Sequence, residues 1–531
     1  MSDETDHTPL GEEHAEPDEI PQEEKGLDRT IRLDLPVISD WAAAQQERLL
    51  NFLGTFFARR GGSVDRFSAQ AMMPVVDRLA GIGAGLVAMI IVDRNYGPAG
   101  LGMFAWFFSL LAMAGYLGRF GIPIYVENRI AREPEAAAEI GANALAALLV
   151  LGGAAIGLGT LYAFLLSGPG PGAADNLLIL LLGPTIFFQN INALRLAMLN
   201  AAGRHDLAAG LKIRQRIVFL AATLVLCWGQ VPLPLVAGAF CISQVVMLVM
   251  GRKAMRLPAI GRVLAGVKQI RPMLENSRAF LFTDNLLDVV FYLDMIILGW
   301  FVNPFELGIY ARALILARLF LVVPGGLRPV FRKMVNTIVQ EGPEARLQRF
   351  MARVSRWFFL AHGLLALFIL THFQQVLDMV FGAQQWAADA FTVFALVVPG
   401  LIFYSAVMAL EPVFEARQQQ AALRRLTLTV AAVNLILNIN LIPFAGIHGA
   451  AAATAIATGA HFLLFCRMLP ADLREFRFFW PGAAAALYLA YVLMAWAGIG
   501  MLLWMLAAPL VLGGLLWLTG FFEAAESRAV G

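Results

Sequence analysis

Four arginines (Arg78, Arg195, Arg312, Arg318) and five carboxylates (Asp77, Asp284, Asp288, Asp294, Glu411) fall inside long apolar runs. A charged side chain at the centre of a hydrocarbon layer costs about 2.5–3.5 kcal/mol or more, so four arginines facing lipid would cost on the order of 10 kcal/mol. These groups are expected to face a bundle interior or a watery cavity. There a guanidinium offers a planar fork of donors that suits phosphate. The carboxylates would serve as movable counter-charges or take up a coupling ion. Asp284 and Asp288 stand four residues apart, on one helix face, which suits a proton or sodium site. The competing reading is structural: ion pairs that lock helices together.

Other reactive residues offer less. Cys227, Cys241 and Cys466 are scattered through apolar runs, without the spacing of a disulfide framework or a metal site. His448 reads as a loop residue and His461 as a core residue. No metal or cofactor is expected.

The elements that must carry these side chains are membrane helices. Of 531 residues, 59% are hydrophobic and 15% charged, whereas soluble domains carry about 25% charged residues. Apolar runs predict about fourteen spans, near 70–92, 99–118, 141–166, 175–199, 209–228, 233–251, 279–301, 306–327, 357–378, 387–413, 426–443, 447–466, 479–497 and 500–520. Each is long enough for a core of about 30 Å at 1.5 Å per residue. Residues 1–36 read as a disordered acidic tail, with no cleavable signal sequence, so the first span is expected to start insertion. Residues 37–69 read as an amphipathic interfacial segment, with Trp41, Leu49, Leu53 and Phe57 at near-helical spacing.

Loop charge orients these spans. With the N-terminus in the cytoplasm, segments falling inside carry thirty Lys and Arg, and those falling outside carry one, Arg94. This predicts an even number of spans and two cytoplasmic termini.

The halves resemble each other. GPAGLGMFA (97–105) matches NPFELGIYA (303–311) at an offset of 206, and the same offset carries Pro123 onto Pro329. Pro232 and Gly238 match Pro443 and Gly449 at an offset of 211. An even number of spans per unit makes this a parallel repeat about an axis along the membrane normal. The predicted divisions are a first six-helix bundle at 70–252, a cytoplasmic linker at 253–278, a second bundle at 279–470 and two additional spans within 471–531. Depth follows from the hairpin at Asn303 and Pro304. Asp294 with Arg312, and Asp288 with Arg318, both have indices summing to 606, so each pair is expected level in the membrane. The 240° net rotation over six residues keeps both pairs from lying between the same two helices. In the first half, Asp77 with Arg119 weakly echoes the arrangement.

The stretch FELGIYARALILARLF (305–320), following DMIILGWFV (294–302), and the run VNLILNINLIPFAGIHGAAAATAIA (433–457) resemble the polysaccharide flippases of the multidrug/oligosaccharidyl-lipid/polysaccharide exporter superfamily. The resemblance covers roughly residues 65–470. It implies an all-α integral membrane protein with two six-helix bundles in a pseudo-symmetric V, alternating access, and undecaprenyl-diphosphate-linked oligosaccharide as cargo. It also implies the bacterial cytoplasmic membrane as location, the lipid bilayer as solvent, and a polysaccharide polymerase and glycosyltransferases as partners. Nucleic acid is not an expected partner. The diphosphate would meet Arg312, Arg318, Arg78 and Arg195. Two other cargoes stay open: a lipid-linked peptidoglycan precursor, and organic cations as in multidrug exporters. An enzyme is not expected, because the outside loops are short and no Asp-x-Asp pair or nucleophile–base set appears. The acidic N-terminal tail departs from the pattern.

Overall fold

A computed structural model describes residues 69–166, 173–255, 257–280, 286–341, 344–382, 387–417, 419–469 and a few positions between 507 and 514. The expected acidic tail, the interfacial segment and most of the last two spans lie outside the described residues. All described elements are helical: α1 (Ala69–Arg119), α2 (Ile122–Arg132), α3 (Ala137–Leu166), α4 (Ala173–Ala201), α5 (His205–Trp228), α6 (Leu233–Ala254), α7 (Ile260–Gly266), α8 (Ile270–Ser277), α9 (Leu286–Phe301), α10 (Pro304–Glu341), α11 (Glu344–Thr371), α12 (Phe373–Phe381), α13 (Ala387–Ala416) and α14 (Gln420–Met468), with short 3₁₀ turns between some of them. An apolar solvent offers the backbone no competing partners, so these sequences close their hydrogen bonds within helices even across Pro184, Pro399 and Pro412.

Eight described helices are long and apolar enough to cross a membrane. Two of them hold a sharp break. In α1, Gly97 has φ 68° and ψ −171°; in α14, Gly446 has φ 51° and ψ −128°. Such backbone angles are costly for any residue with a Cβ. Past Gly446 the chain turns back, so that a Cβ on Gly449 would meet the Leu441 carbonyl. Each long element therefore holds two segments, as the span reading expects for 70–92 with 99–118 and for 426–443 with 447–466.

Three boundaries differ from expectation. Helix α10 runs on to Glu341, well beyond the expected end near 327, because the segment after Pro324 continues with helix-compatible charged residues. Helix α11 starts at Glu344 and ends at Thr371, where the chain breaks before the separate helix α12. Helix α5 carries Lys212, Arg214 and Arg216 in its first turns, so its uncharged stretch is short for a full span.

Buried side chains form one large core from α9 to α14, joined by Leu101 and Ala105 of α1. Smaller cores lie in the first half. One joins α1, α4, α5 and α6; another joins α2, α3 and α4 with Val263 and Met273 beyond α6.

Candidate functional site

The two matching stretches of sequence meet in space, and they meet reciprocally. A Cβ on Gly102 would overlap the Pro304 carbonyl, and a Cβ on Gly308 would overlap the Pro98 carbonyl. These two contacts interchange under the 206-residue offset. Glycine is required here because backbone approaches helix with no room for a side chain. A second pair of contacts interchanges in the same way. Asp93 meets Arg312; their equivalents, Gly299 and Trp106, also touch, and a Cβ on Gly299 would overlap the indole Nε1. The repeat is thus a real contact register as well as a sequence pattern.

The Asp93–Arg312 pair is the charged member of this junction. Arg312 Nε donates to Asp93 Oδ1 at 2.9 Å and Nη2 donates to Oδ2 at 3.1 Å, a two-pronged arrangement. The side chains are 3% and 0% exposed. The guanidinium also lies 5.5 Å from the centre of the Phe381 ring. Beside it, Arg94 donates to the carbonyls of Met379 and Val380, 3.0–3.1 Å away in the last turn of α12. A helix C-terminus favours a cation, so residues 93 and 94 bind the second half of the chain twice, once by ion pair and once by helix end.

A second constellation surrounds Asp294, whose residue is 0% exposed. Its carboxylate accepts from Tyr310 at 3.1 Å, from Asn438 Nδ2 at 2.6 Å and from the Thr454 hydroxyl. Asn434, one turn from Asn438, accepts from the Asn438 amide at 2.9 Å. Asn438 and Thr454 stand eight residues either side of Gly446, so the break in α14 brings them level. All these partners are neutral.

The expected pairing of Asp294 with Arg312 is therefore not formed: Asp294 is held by Tyr310, Asn438 and Thr454, and Arg312 turns to Asp93. The Asp77–Arg119 echo is likewise replaced. Asp77 is bridged by Lys212 at 3.1 Å and Arg216 at 2.5 Å, while Arg119 donates to the Gly115 carbonyl. Arg318 lies 5.6 Å from the Tyr292 ring centre. Arg195, 1% exposed, donates to the Leu248 carbonyl at 2.8 Å near the end of α6 and packs against Gly251. Glu411 accepts from Arg328 at 2.8 Å, and Arg328 and Arg332 both reach Glu415. Asp284 lies outside the described residues, and only backbone positions are described for Arg78 and Asp288. Sequence reasoning missed Asp93, whose place beside Arg94 reads as a loop edge; its one signal was a carboxylate four residues before a repeat motif.

The architecture is that of a helical multi-span membrane protein with a transporter fold. Over 84% of its length the chain superposes on 99% of a lipid II flippase, MurJ, in an inward closed conformation, with a TM-score of 0.65 and 15% identity. An inward-facing multidrug resistance MATE family transporter of the MOP superfamily matches 74% of the chain over 96% of its own, with a TM-score of 0.59 and 15% identity. The MATE multidrug transporter DinF-BH matches 78% over 100%, with a TM-score of 0.54 and 16% identity. No curated protein sequence matches. Residues 75–334 match the family described as polysaccharide biosynthesis protein.

Proposed function

We propose that this protein flips an undecaprenyl-diphosphate-linked oligosaccharide across the bacterial cytoplasmic membrane, by alternating access, for polysaccharide biosynthesis. The Asp93–Arg312 pair carries this reading. While α1 and α10 touch, the guanidinium is neutralised by a carboxylate. When they part, its donors come free for a diphosphate, and the carboxylate gains water. Recognition of an anionic headgroup and opening of the junction become one event. Loop charge places the junction at the external end, so the arrangement suits a state closed to the outside. Arg318 and Arg78 remain proposed cargo contacts in this scheme, whereas the contacts of Arg195 favour a helix-capping role. Asp294 is the coupling carboxylate, taking a proton or a monovalent cation. Glycosyltransferases would supply the cargo and a polymerase would consume it.

The test is flipping of a fluorescent lipid-linked oligosaccharide in vesicles holding the purified protein. The double variant Asp93→Asn/Arg312→Gln should fold and fail to flip, and Arg312→Lys in the wild-type background should recover only part, because Lys lacks the fork. Asp294→Asn should fold and lose any dependence of flipping on a proton or sodium gradient. Full flipping by the double variant would exclude Arg312 as a cargo contact. The likeness to MurJ favours a second cargo, the lipid-linked peptidoglycan precursor. Competition between the two lipids in the same vesicles separates these readings.

A further inference from the structure

Between the halves, α7 and α8 form a short amphipathic stretch with one buried row and one exposed apolar row. Val263, Gly266, Met273 and Ser277 are buried, and Val263 and Met273 belong to the core beneath. A second row, Ile260, Leu264 and Val267, is 80%, 68% and 48% exposed. These three recur at the spacing of one helix face, separate from the buried row. Ionisable groups on the same stretch are Arg262, Lys268, Arg271, Glu275 and Arg278, all exposed, four cations against one anion. Glu275 accepts from Arg271 at 3.0 Å, and the Arg271 side chain stays 89% exposed. Arg252 and Lys253, in the last turn of α6, add to the positive field.

We infer that this stretch is an interfacial site for anionic lipid, lying on the cytoplasmic leaflet with Ile260, Leu264 and Val267 among the acyl chains and Lys268, Arg271 and Arg278 at the phosphates. An apolar row flanked by cations is the pattern of a helix in the plane of a membrane interface. The stretch begins six residues after a membrane helix ends, so it stands at the surface of the bilayer rather than in bulk water. Its charge fits anionic headgroups and not zwitterionic ones. The same face could instead be covered by the acidic residues 1–36, and the experiment separates the two.

The test uses the full chain with Cys227, Cys241 and Cys466 replaced by Ala, a fluorophore on Leu264→Cys or on Ala265→Cys, and nanodiscs containing brominated lipid. The probe at 264 should be quenched and the probe at 265 spared. Quenching at 264 should favour brominated phosphatidylglycerol over brominated phosphatidylcholine. Each of Lys268→Gln, Arg271→Gln and Arg278→Gln should lower that preference about 5-fold, the effect of one cation near an anionic surface. A glycine-flanked surface helix tolerates these changes, and unaltered thermal unfolding verifies it. Equal quenching at the two positions, or equal quenching by the two lipids, overturns the inference. So does quenching that emerges only after residues 1–36 are deleted, which would make the tail the occupant.

Discussion

Asp93 and Arg312 are held in a place where neither is tolerable alone. Removing one member of a buried pair typically costs about 3–5 kcal/mol, because the other charge is stranded. Asp93→Asn and Arg312→Gln should therefore each lower the melting temperature of detergent-solubilised protein. The double variant should lose less than the two losses together, since no orphan charge remains. Additive losses would show that the pair contributes no coupling. An Asp294→Asn/Arg312→Gln combination should be additive, because Asp294 is bonded to Tyr310, Asn438 and Thr454 instead. The depth rule applied to the hairpin between α9 and α10 came within two residues of this arrangement: the index sum of Asp294 and Tyr310 is 604, against 606 for Arg312. Two residues of helix rotate by about 200°, so a small error in depth becomes a reversal of face. The level of a charge was legible in the sequence, while its direction depended on rotation that only packing fixes. Asp93 stayed invisible for a related reason. It ends an apolar run next to Arg94, and nothing local says that a residue more than two hundred positions later reaches it.

Helices announced themselves through apolar length, and the breaks at Gly97 and Gly446 through glycine and proline beside polar residues. What length could not convey is where helices continue past their apolar run, as α10 does through Glu341, because charged residues carry helix as readily as apolar ones do. The Gly102 and Gly308 contacts were legible as a repeated motif but not as a reason for it. The structure supplies the reason: each glycine makes room for the other half's proline carbonyl. Gly102→Ala and Gly308→Ala should each force the junction apart by a few tenths of an ångström or more, and together should favour the open state. A thiol-reactive, membrane-impermeant reagent should then label Asn95→Cys faster in the double variant than in the parent. Unchanged labelling would mean that the close approach does not control opening. Gly83, where a Cβ would meet open space, is the control: Gly83→Ala should leave labelling unchanged.

At the scale of the molecule, the match to the polysaccharide biosynthesis family, the transporter fold and the repeat contacts draw attention to the junction where the two matching stretches of sequence meet. Under the proposed function, this junction must open and close for cargo to cross. Asn95 and Met379 flank it, both exposed, next to the Arg94 contact with the Met379 carbonyl. Asn95→Cys and Met379→Cys, in a background lacking Cys227, Cys241 and Cys466, allow the junction to be tied by a short reducible dithiol cross-linker. The direct measurement is the flipping rate of lipid-linked oligosaccharide in vesicles before cross-linking, after it, and after reduction. Flipping is expected to be lost on cross-linking and to return on reduction. Flipping at the full rate while the junction is tied would contradict this requirement.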